Sequence, residues 1–313
     1  MEHIAEIEHV SKIFAGKTVV DDVSFVIPRG SVTAVLGPNG AGKTTVLSMM
    51  LGLRDPSQGS VKLFGQSPKQ VQVKRRIGAM LQDVSVIDSL KVYEVMNMVR
   101  SYYPNPLGMV DMIHIAGFTS EELNKRAEKL SGGQKRRLGF ALALAGDPDF
   151  LFFDEPTVGL DAPARRAFWQ QVDRLADQGK TILFSTHYLQ EAEDAAHRIL
   201  LFNKGKIAAD GTPDEIVSRL TSRSVSFIAD WDGNDTYPVL EMIHRMRAIP
   251  GVSDCKEQEG RWVVTTDNTD TVLAALFRYG IPARDIRTGQ GRLDDAFELM
   301  LTHDEQDKEA VSS

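Results

Sequence analysis

Two stretches of this chain combine residue types that could work on a phosphorylated substrate. In the first, Gly37, Pro38, Asn39, Gly40, Ala41, Gly42, Lys43 and Thr44 run as a glycine, four residues and then Gly-Lys-Thr. Glycines let a backbone curl until successive N–H groups point inward and cradle phosphate oxygens. A helix starting at the end of such a loop turns its positive end on the same anion. Lys43 is then placed to reach the β- and γ-phosphates, the Thr44 hydroxyl to ligate Mg²⁺, and Thr45 to add a further phosphate contact. In the second stretch, Phe150-Leu-Phe-Phe-Asp154-Glu155, an apolar strand ends in two acids. A strand sends neighbouring side chains to opposite sides. Asp154 can therefore hold a metal through its waters while Glu155 polarises or deprotonates an attacking water. Alone, an Asp-Glu pair after a strand reads as a solvated loop start; downstream of a phosphate loop it completes a hydrolytic pair.

Both stretches need a scaffold that delivers them to one edge. Residues 19–28 (VVDDVSFVIP) and 31–36 (SVTAVL) read as strands, the latter feeding the glycine loop, and 44–51 reads as the helix after it. Apolar runs at 149–153 (DFLFF), 180–185 (KTILFS) and 198–202 (RILLF) have strand length, and intervening segments such as 163–178 have helical period. Strands alternating with helices predict a largely parallel sheet covered on both faces, with ligand chemistry at the carboxyl ends of its strands.

The chain has 313 residues, 42% hydrophobic and 25% charged, which suits one large or two smaller globular domains and excludes wholesale disorder. Its single cysteine, Cys255, cannot form an internal disulfide, and a reducing cytoplasmic setting fits. No apolar run reaches the roughly 18–20 residues of a membrane span, and the acidic start MEHIAEIEHV does not read as a signal peptide. Residues 221–313 carry 10 Lys/Arg against 17 Asp/Glu, so the whole formal charge of −7 falls there and residues 1–220 balance. An acidic surface repels phosphate backbones and argues against nucleic acid as a partner.

Leu130-Ser131-Gly132-Gly133-Gln134 adds a third element. With residues 37–44, Gln82, 150–155, Gly159-Leu160-Asp161 and His187, it closely resembles the ATP-binding cassette (ABC) ATPases over about residues 4–220. The resemblance implies an α/β P-loop NTPase cassette with a helical signature subdomain at about 83–145. It implies ATP and Mg²⁺ as ligands, with Ser131, Gly132, Gly133 and Gln134 binding the γ-phosphate held by a second subunit's phosphate loop. It makes Gln82 a Mg²⁺ ligand and γ-phosphate sensor, His187 a γ-phosphate contact, and Asp161 a residue reaching across a homodimer interface. Asp161-Ala-Pro163 reads equally as a helix cap with proline just inside. Adenine is expected to stack on Phe14, where the family usually has tyrosine; a buried core phenylalanine is the alternative.

The single set of motifs, with only about 90 residues between phosphate loop and signature, resembles transporters rather than the coiled-coil chromosome or two-cassette ribosomal relatives. Residues 83–106, rich in Val, Met and Tyr, then correspond to the groove that receives a membrane permease; they suit a helical subdomain's own core equally well. Beyond 220, an alternation of strands and helices suggests a small ferredoxin-like α+β domain at 221–302 and a flexible acidic tail at 303–313. Its ending, 291–301, resembles the terminal helix of a domain appended to bacterial drug, antibiotic, lipid or polysaccharide export ATPases. Gln134-Lys-Arg-Arg-Leu138 and Arg165-Arg-Ala-Phe-Trp169 resemble the same subfamily. The expectation is an exporter ATPase, peripheral on the inner face of a bacterial plasma membrane; the alternative is a soluble ABC ATPase serving an assembly or regulatory complex.

Overall fold

The computed structural model describes residues 3–82, 89–220, 223–229, 239–258 and 260–289. The chain divides into two units at Thr212/Pro213, eight residues before the expected boundary at 220.

In the first unit, β1 (His3–Phe14) and β2 (Lys17–Pro28) form an antiparallel pair. The buried strand β3 (Val32–Leu36) leads through the glycine loop into α1 (Lys43–Met50). Next, β4 (Gln58–Leu63) returns to pair with β1, closing a three-stranded sheet in the order β2-β1-β4. Then come α2 (Val71–Lys74) and β5 (Ile77–Met80). The helical insertion comprises α3 (Val92–Arg100), α4 (Met109–Ala116), α5 (Ser120–Leu123) and α6 (Gly132–Leu144). The rest alternates β6 (Phe150–Asp154), α7 (Ala162–Asp177), β7 (Thr181–Thr186), α8 (Leu189–Ala195), β8 (Arg198–Asn203) and β9 (Lys206–Gly211).

The main sheet has the order β5-β6-β7-β3-β8-β9, with every pairing parallel except the β8–β9 hairpin. Phe150 and Phe152 on one face of β6 pack with Val46, Leu47, Met49 and Met50 of α1, whose other neighbours are Ile4, Ile7 and Ile27 of the small sheet. On the opposite face Phe153 meets Phe140 of α6 and Phe168 of α7, with ring centroids 5.6 Å away in both cases. Both faces of β6 are thus apolar, which explains why its sequence is a continuous rather than alternating run. The order β6-β7-β3 brings the carboxyl ends Asp154, Thr186 and Leu36 side by side.

The helical insertion has its own core of Val92, Val95, Met96, Met112, Phe118, Leu130 and Leu138. Val92, Val95 and Met96 of the Met- and Tyr-rich stretch therefore serve that core, while Tyr93 and Tyr102 stay 48% and 68% exposed; residues 83–88 lie outside the described residues. No described helix is long and apolar enough to cross a membrane.

The second unit starts with α9 (Pro213–Leu220), whose proline occupies a first-turn position that needs no N–H donor. It continues β10 (Arg223–Ala229), α10 (Val239–Arg247), β11 (Val252–Gln258), β12 (Arg261–Thr266), α11 (Thr269–Arg278) and β13 (Ala283–Gly289). This βαββαβ chain forms an all-antiparallel sheet ordered β11-β12-β10-β13, the split arrangement of ferredoxin-like folds. Val225, Phe227, Trp262 and Val264 pack beneath Met246, Val272 and Leu276. The expected helix at 293–301 and tail at 303–313 lie outside the described residues.

Candidate active site

The buried strand β3 ends at Leu36, and the backbone at once passes so close to β8 that a side chain at Gly37 would place its Cβ 2.3 Å from the Phe202 carbonyl oxygen. Only glycine fits there. The loop is held from inside by Lys43, whose Nζ donates to the Gly37 and Pro38 carbonyls at 2.6 and 3.1 Å. From outside, the Gly205 N–H at the tip of the β8–β9 hairpin donates to Ala41 O at 3.1 Å. Burial pushes the Lys43 ammonium below its ordinary pKa, and the facing carboxylates of Glu155 and Asp154 pull the other way. A cation kept in a half-dry hollow and facing two acids is poised for a polyanion.

Asp154, 2% exposed at the tip of β6, accepts a hydrogen bond from the buried Ser185 hydroxyl. The Thr44 hydroxyl lies 3.4 Å from the same carboxylate oxygen. Glu155 follows with φ +47°, a left-handed conformation unusual outside glycine. Its N–H is caught by Ser185, through the hydroxyl at 3.0 Å and the carbonyl at 3.2 Å. That turn aims the Glu155 carboxylate between Gln82, whose Nε2 donates to Oε2 at 3.4 Å, and His187, whose Nδ1 is 3.3 Å from Oε1. Strain at a carboxylate held by two further polar side chains is the kind kept for chemistry. Loop residues 39–45 with Val19, Gln82 and Glu155 enclose a hollow of about 350 Å³.

The other expected contacts lie apart from this hollow. Ser131 caps α6: its Oγ accepts from the Gln134 N–H at 3.2 Å, and the Gln134 amide oxygen accepts from the Ser131 N–H at 2.9 Å. Ser131, Gly133 and Gln134 line a second hollow of about 510 Å³ beside Leu160 and Phe168. Ser131 and Gly132 are exposed. Asp161 is likewise exposed, and it caps α7 through the Ala164 N–H at 2.8 Å. Phe14, at the end of β1, is half-buried and belongs to none of the described core clusters; it does not line the phosphate-loop hollow. Its ring carries the Lys12 ammonium 5.1 Å and the Arg54 guanidinium 5.3 Å from its centroid.

Three polar residues that the sequence did not single out organise this surface. Ser185 ties Asp154 to Glu155, and the signal for it was a hydroxyl at the end of the otherwise apolar run KTILFS. Glu122 accepts from Gln134 Nε2 at 2.8 Å and from Arg137 Nη2 at 2.6 Å, anchoring the signature helix to α5. Glu191 bridges the residues just beyond Glu155 and the end of β7. Neither acid stands in a recognisable motif.

A largely parallel sheet whose strand tips carry a glycine loop with a buried lysine and an acid pair, joined to a helical insertion in which Ser-Gly-Gly-Gln starts a helix, defines an ATP-binding cassette. Residues 20–158 match the family described as ABC transporter. The Nod factor export ATP-binding protein I of Paraburkholderia xenovorans is 38% identical over 223 residues, covering 69% of this chain and 73% of that protein. The protein of the same name from Neorhizobium galegae is 33% identical across 97% of this chain and 86% of its own length. A solved ATP-binding subunit of an ABC transporter superposes with TM-score 0.64 at 25% identity, covering 69% of this chain and 92% of that one. A dimeric cassette in a post-hydrolysis state with ADP and Pi superposes at TM-score 0.62 and 23% identity, covering 66% and 98%. The chain belongs to the ABC transporter ATP-binding family.

Proposed function

We propose that this chain is the ATP-hydrolysing subunit of an exporter, working as a homodimer beneath a separate membrane permease on the cytoplasmic face. The observation that carries the reading is the Glu155 carboxylate, turned by its left-handed backbone towards the hollow it shares with Lys43 and Gln82, with His187 beside it. The relatives named for export support the direction of transport.

In this reading the N–H groups of residues 37 and 39–45 and the Lys43 ammonium hold the β- and γ-phosphates, and Thr45 adds a contact. Phe14 retains the stacking face that adenine needs, steadied by Lys12 and Arg54. Mg²⁺ fits the donors present: the Thr44 hydroxyl, the Asp154 carboxylate and the Gln82 amide are hard oxygens, few in number, as suits a cation that also takes phosphate oxygens and water. When bound it neutralises charge developing on the phosphates. Glu155 accepts the proton of the attacking water, with His187 beside it to meet the γ-phosphate. In Ser131 the capping contact uses the hydroxyl oxygen as acceptor, which leaves the O–H free to donate. Ser131 with the first-turn N–H groups of Gly132 and Gly133 therefore offers an anion site to a second copy's nucleotide, with Gln134 holding the Ser131 hydroxyl in place. Asp161, exposed at the start of α7, contacts that copy. Tyr93 and Tyr102, exposed on the helical insertion, belong to the 83–106 surface offered to the permease.

Substituting Glu155→Gln tests this directly. The variant is expected to bind ATP, lose turnover and accumulate as an ATP-bound dimer in light-scattering chromatography, while the wild type hydrolyses ATP in a Mg²⁺-dependent way. A variant that stays monomeric and active refutes the assignment. Affinity purification from detergent-solubilised membranes should bring down a multi-spanning protein; recovery of soluble proteins alone speaks against the transport role.

A further inference from the structure

Among the described residues only two carboxylates are buried, Asp154 at 2% and Glu191 at 5% exposure. Asp154 faces the phosphate loop. Glu191, in the first turn of α8, does not line that hollow and so needs another account, because an acid is buried only where its partners compensate the lost water. The Thr157 hydroxyl donates to its Oε1, the Thr186 hydroxyl donates to its Oε2 at 2.8 Å, and Arg165 Nε lies 3.5 Å from Oε1.

Each partner belongs to a segment that the proposed reaction uses. Thr157 stands two residues beyond Glu155, and its backbone carbonyl accepts the Leu160 N–H at 3.0 Å, so anchoring its side chain anchors the turn that presents Asp161. Arg165 closes the first turn of α7 by donating its own N–H to the Asp161 carbonyl at 2.9 Å. The Thr186 hydroxyl also accepts the Tyr188 N–H at 3.0 Å, a bond that spans His187 and fixes its backbone. The Tyr188 ring packs 4.2 Å from the His187 ring and 5.0 Å from the Arg165 guanidinium, which closes the circuit.

We infer that Glu191 is a positioning residue that couples the 157–161 turn to His187, so that the contact Asp161 makes with a second copy and the contact His187 makes with the γ-phosphate are set together. This rests on the roles proposed above for Asp161 and His187. The carboxylate suits the task because it accepts from two hydroxyls at once and balances Arg165. In an amide of the same shape one oxygen becomes an NH₂, so one threonine hydroxyl must reverse and accept instead of donate, and the charge balance with Arg165 is lost.

The test uses the full-length protein with Glu191→Gln and, as a milder isostere, Thr157→Val. In steady-state hydrolysis E191Q is expected to lower kcat at least about tenfold while KM and the affinity for a fluorescent ATP analogue stay within about twofold, since the phosphate loop is untouched. T157V should show the same split with a smaller loss. A protein merely weakened in its fold loses analogue affinity along with kcat. Hydrogen exchange of the nucleotide-free chain reads the coupling without turnover: E191Q should raise exchange at 157–161 and at 186–190 together. Wild-type turnover of E191Q, a loss shared equally by kcat and analogue affinity, or exchange changed in only one segment overturns the inference. A wild-type chain that fails to hydrolyse ATP instead overturns the proposed function, and the exchange result still decides the coupling.

Discussion

Replacing Gly37 with alanine tests whether the phosphate loop is shaped by its fit against β8. The added Cβ would lie 2.3 Å from the Phe202 carbonyl oxygen and 3.3 Å from Ala41 Cβ. An ordinary C···O contact is about 3.3 Å, so roughly 1 Å must be found. Phe202 cannot supply it, being fully buried and hydrogen-bonded into the central sheet. The glycine loop must move, and it has to do so against the Gly205–Ala41 bond on its far side. Overpacking of this kind costs about 1–3 kcal/mol, and at about 2–4 °C per kcal/mol for a unit of this size the first melting transition should fall by several degrees. Displacing the phosphate-binding N–H groups by ~1 Å should reduce kcat/KM for ATP by about a hundredfold. Gly40→Ala is the control. Its Cβ meets nothing within 4 Å, and only the φ of +82° opposes it, a strain of about 1–2 kcal/mol with the remaining donors left in place. Binding of a fluorescent ATP analogue and differential scanning calorimetry on both variants provide the measurement. If G37A binds nucleotide as tightly as G40A, the loop is not set by β8 and the reasoning fails.

Ser185→Ala removes the hydroxyl held between Asp154 and the Glu155 N–H; it should cost about 1–3 kcal/mol in chemical denaturation and weaken Mg²⁺-dependent more than Mg²⁺-free nucleotide binding. At Glu122, burial works against ionisation, but bonds from the Thr119 N–H, Gln134 and Arg137 outweigh it and hold the carboxyl below its usual range. Its contribution is therefore present at neutral pH and lost as pH falls through that lowered value, and Glu122→Gln should flatten the acid limb of a stability–pH curve. Burial is the main cause that raises the Cys255 thiol to about 11, with Asp254 adding to it. An unfolded chain ionises near 9, so the second unit should lose stability as pH rises from about 9 towards 11. Cys255 should also resist an aromatic disulfide reagent at pH 8 until denaturant is added; immediate reaction contradicts its burial.

The central strands were legible because burial on both faces leaves an unbroken apolar run, as in FLFF and TILF, and because their ends carry the motif residues. The strand β1 was not. Its register against β2 shifts four times, His9 sits at φ +49°, and the buried positions fall out of the period-two pattern that marks a half-buried strand. The short strands β4 and β5 offer six and four residues, only one fully buried in β4, too little for a pattern to emerge. In the stretch after Gln82 composition was ambiguous because one helix does two jobs: Val92, Val95 and Met96 turn inward while Tyr93 turns out.

The same contrast separates the parts of the site. A phosphate loop and a strand-end acid pair are local devices, since a few consecutive residues determine the curl or the side on which a carboxylate emerges, and their spacing is visible in a single sequence. The bonds that aim those devices are not local. Ser185 reaches Asp154 across 31 residues, Thr157 reaches Glu191 across 34, and Gln134 reaches Glu122 across 12. Taken alone, Glu122 and Glu191 look like the solvated acids that most glutamates are. Only the folded chain shows that one anchors the signature helix and that the other is buried between the two segments flanking Glu155 and His187. A phosphate loop or a strand-end acid pair can therefore be seen in a sequence, whereas the bonds that hold them in place live in side chains whose partners are supplied by topology.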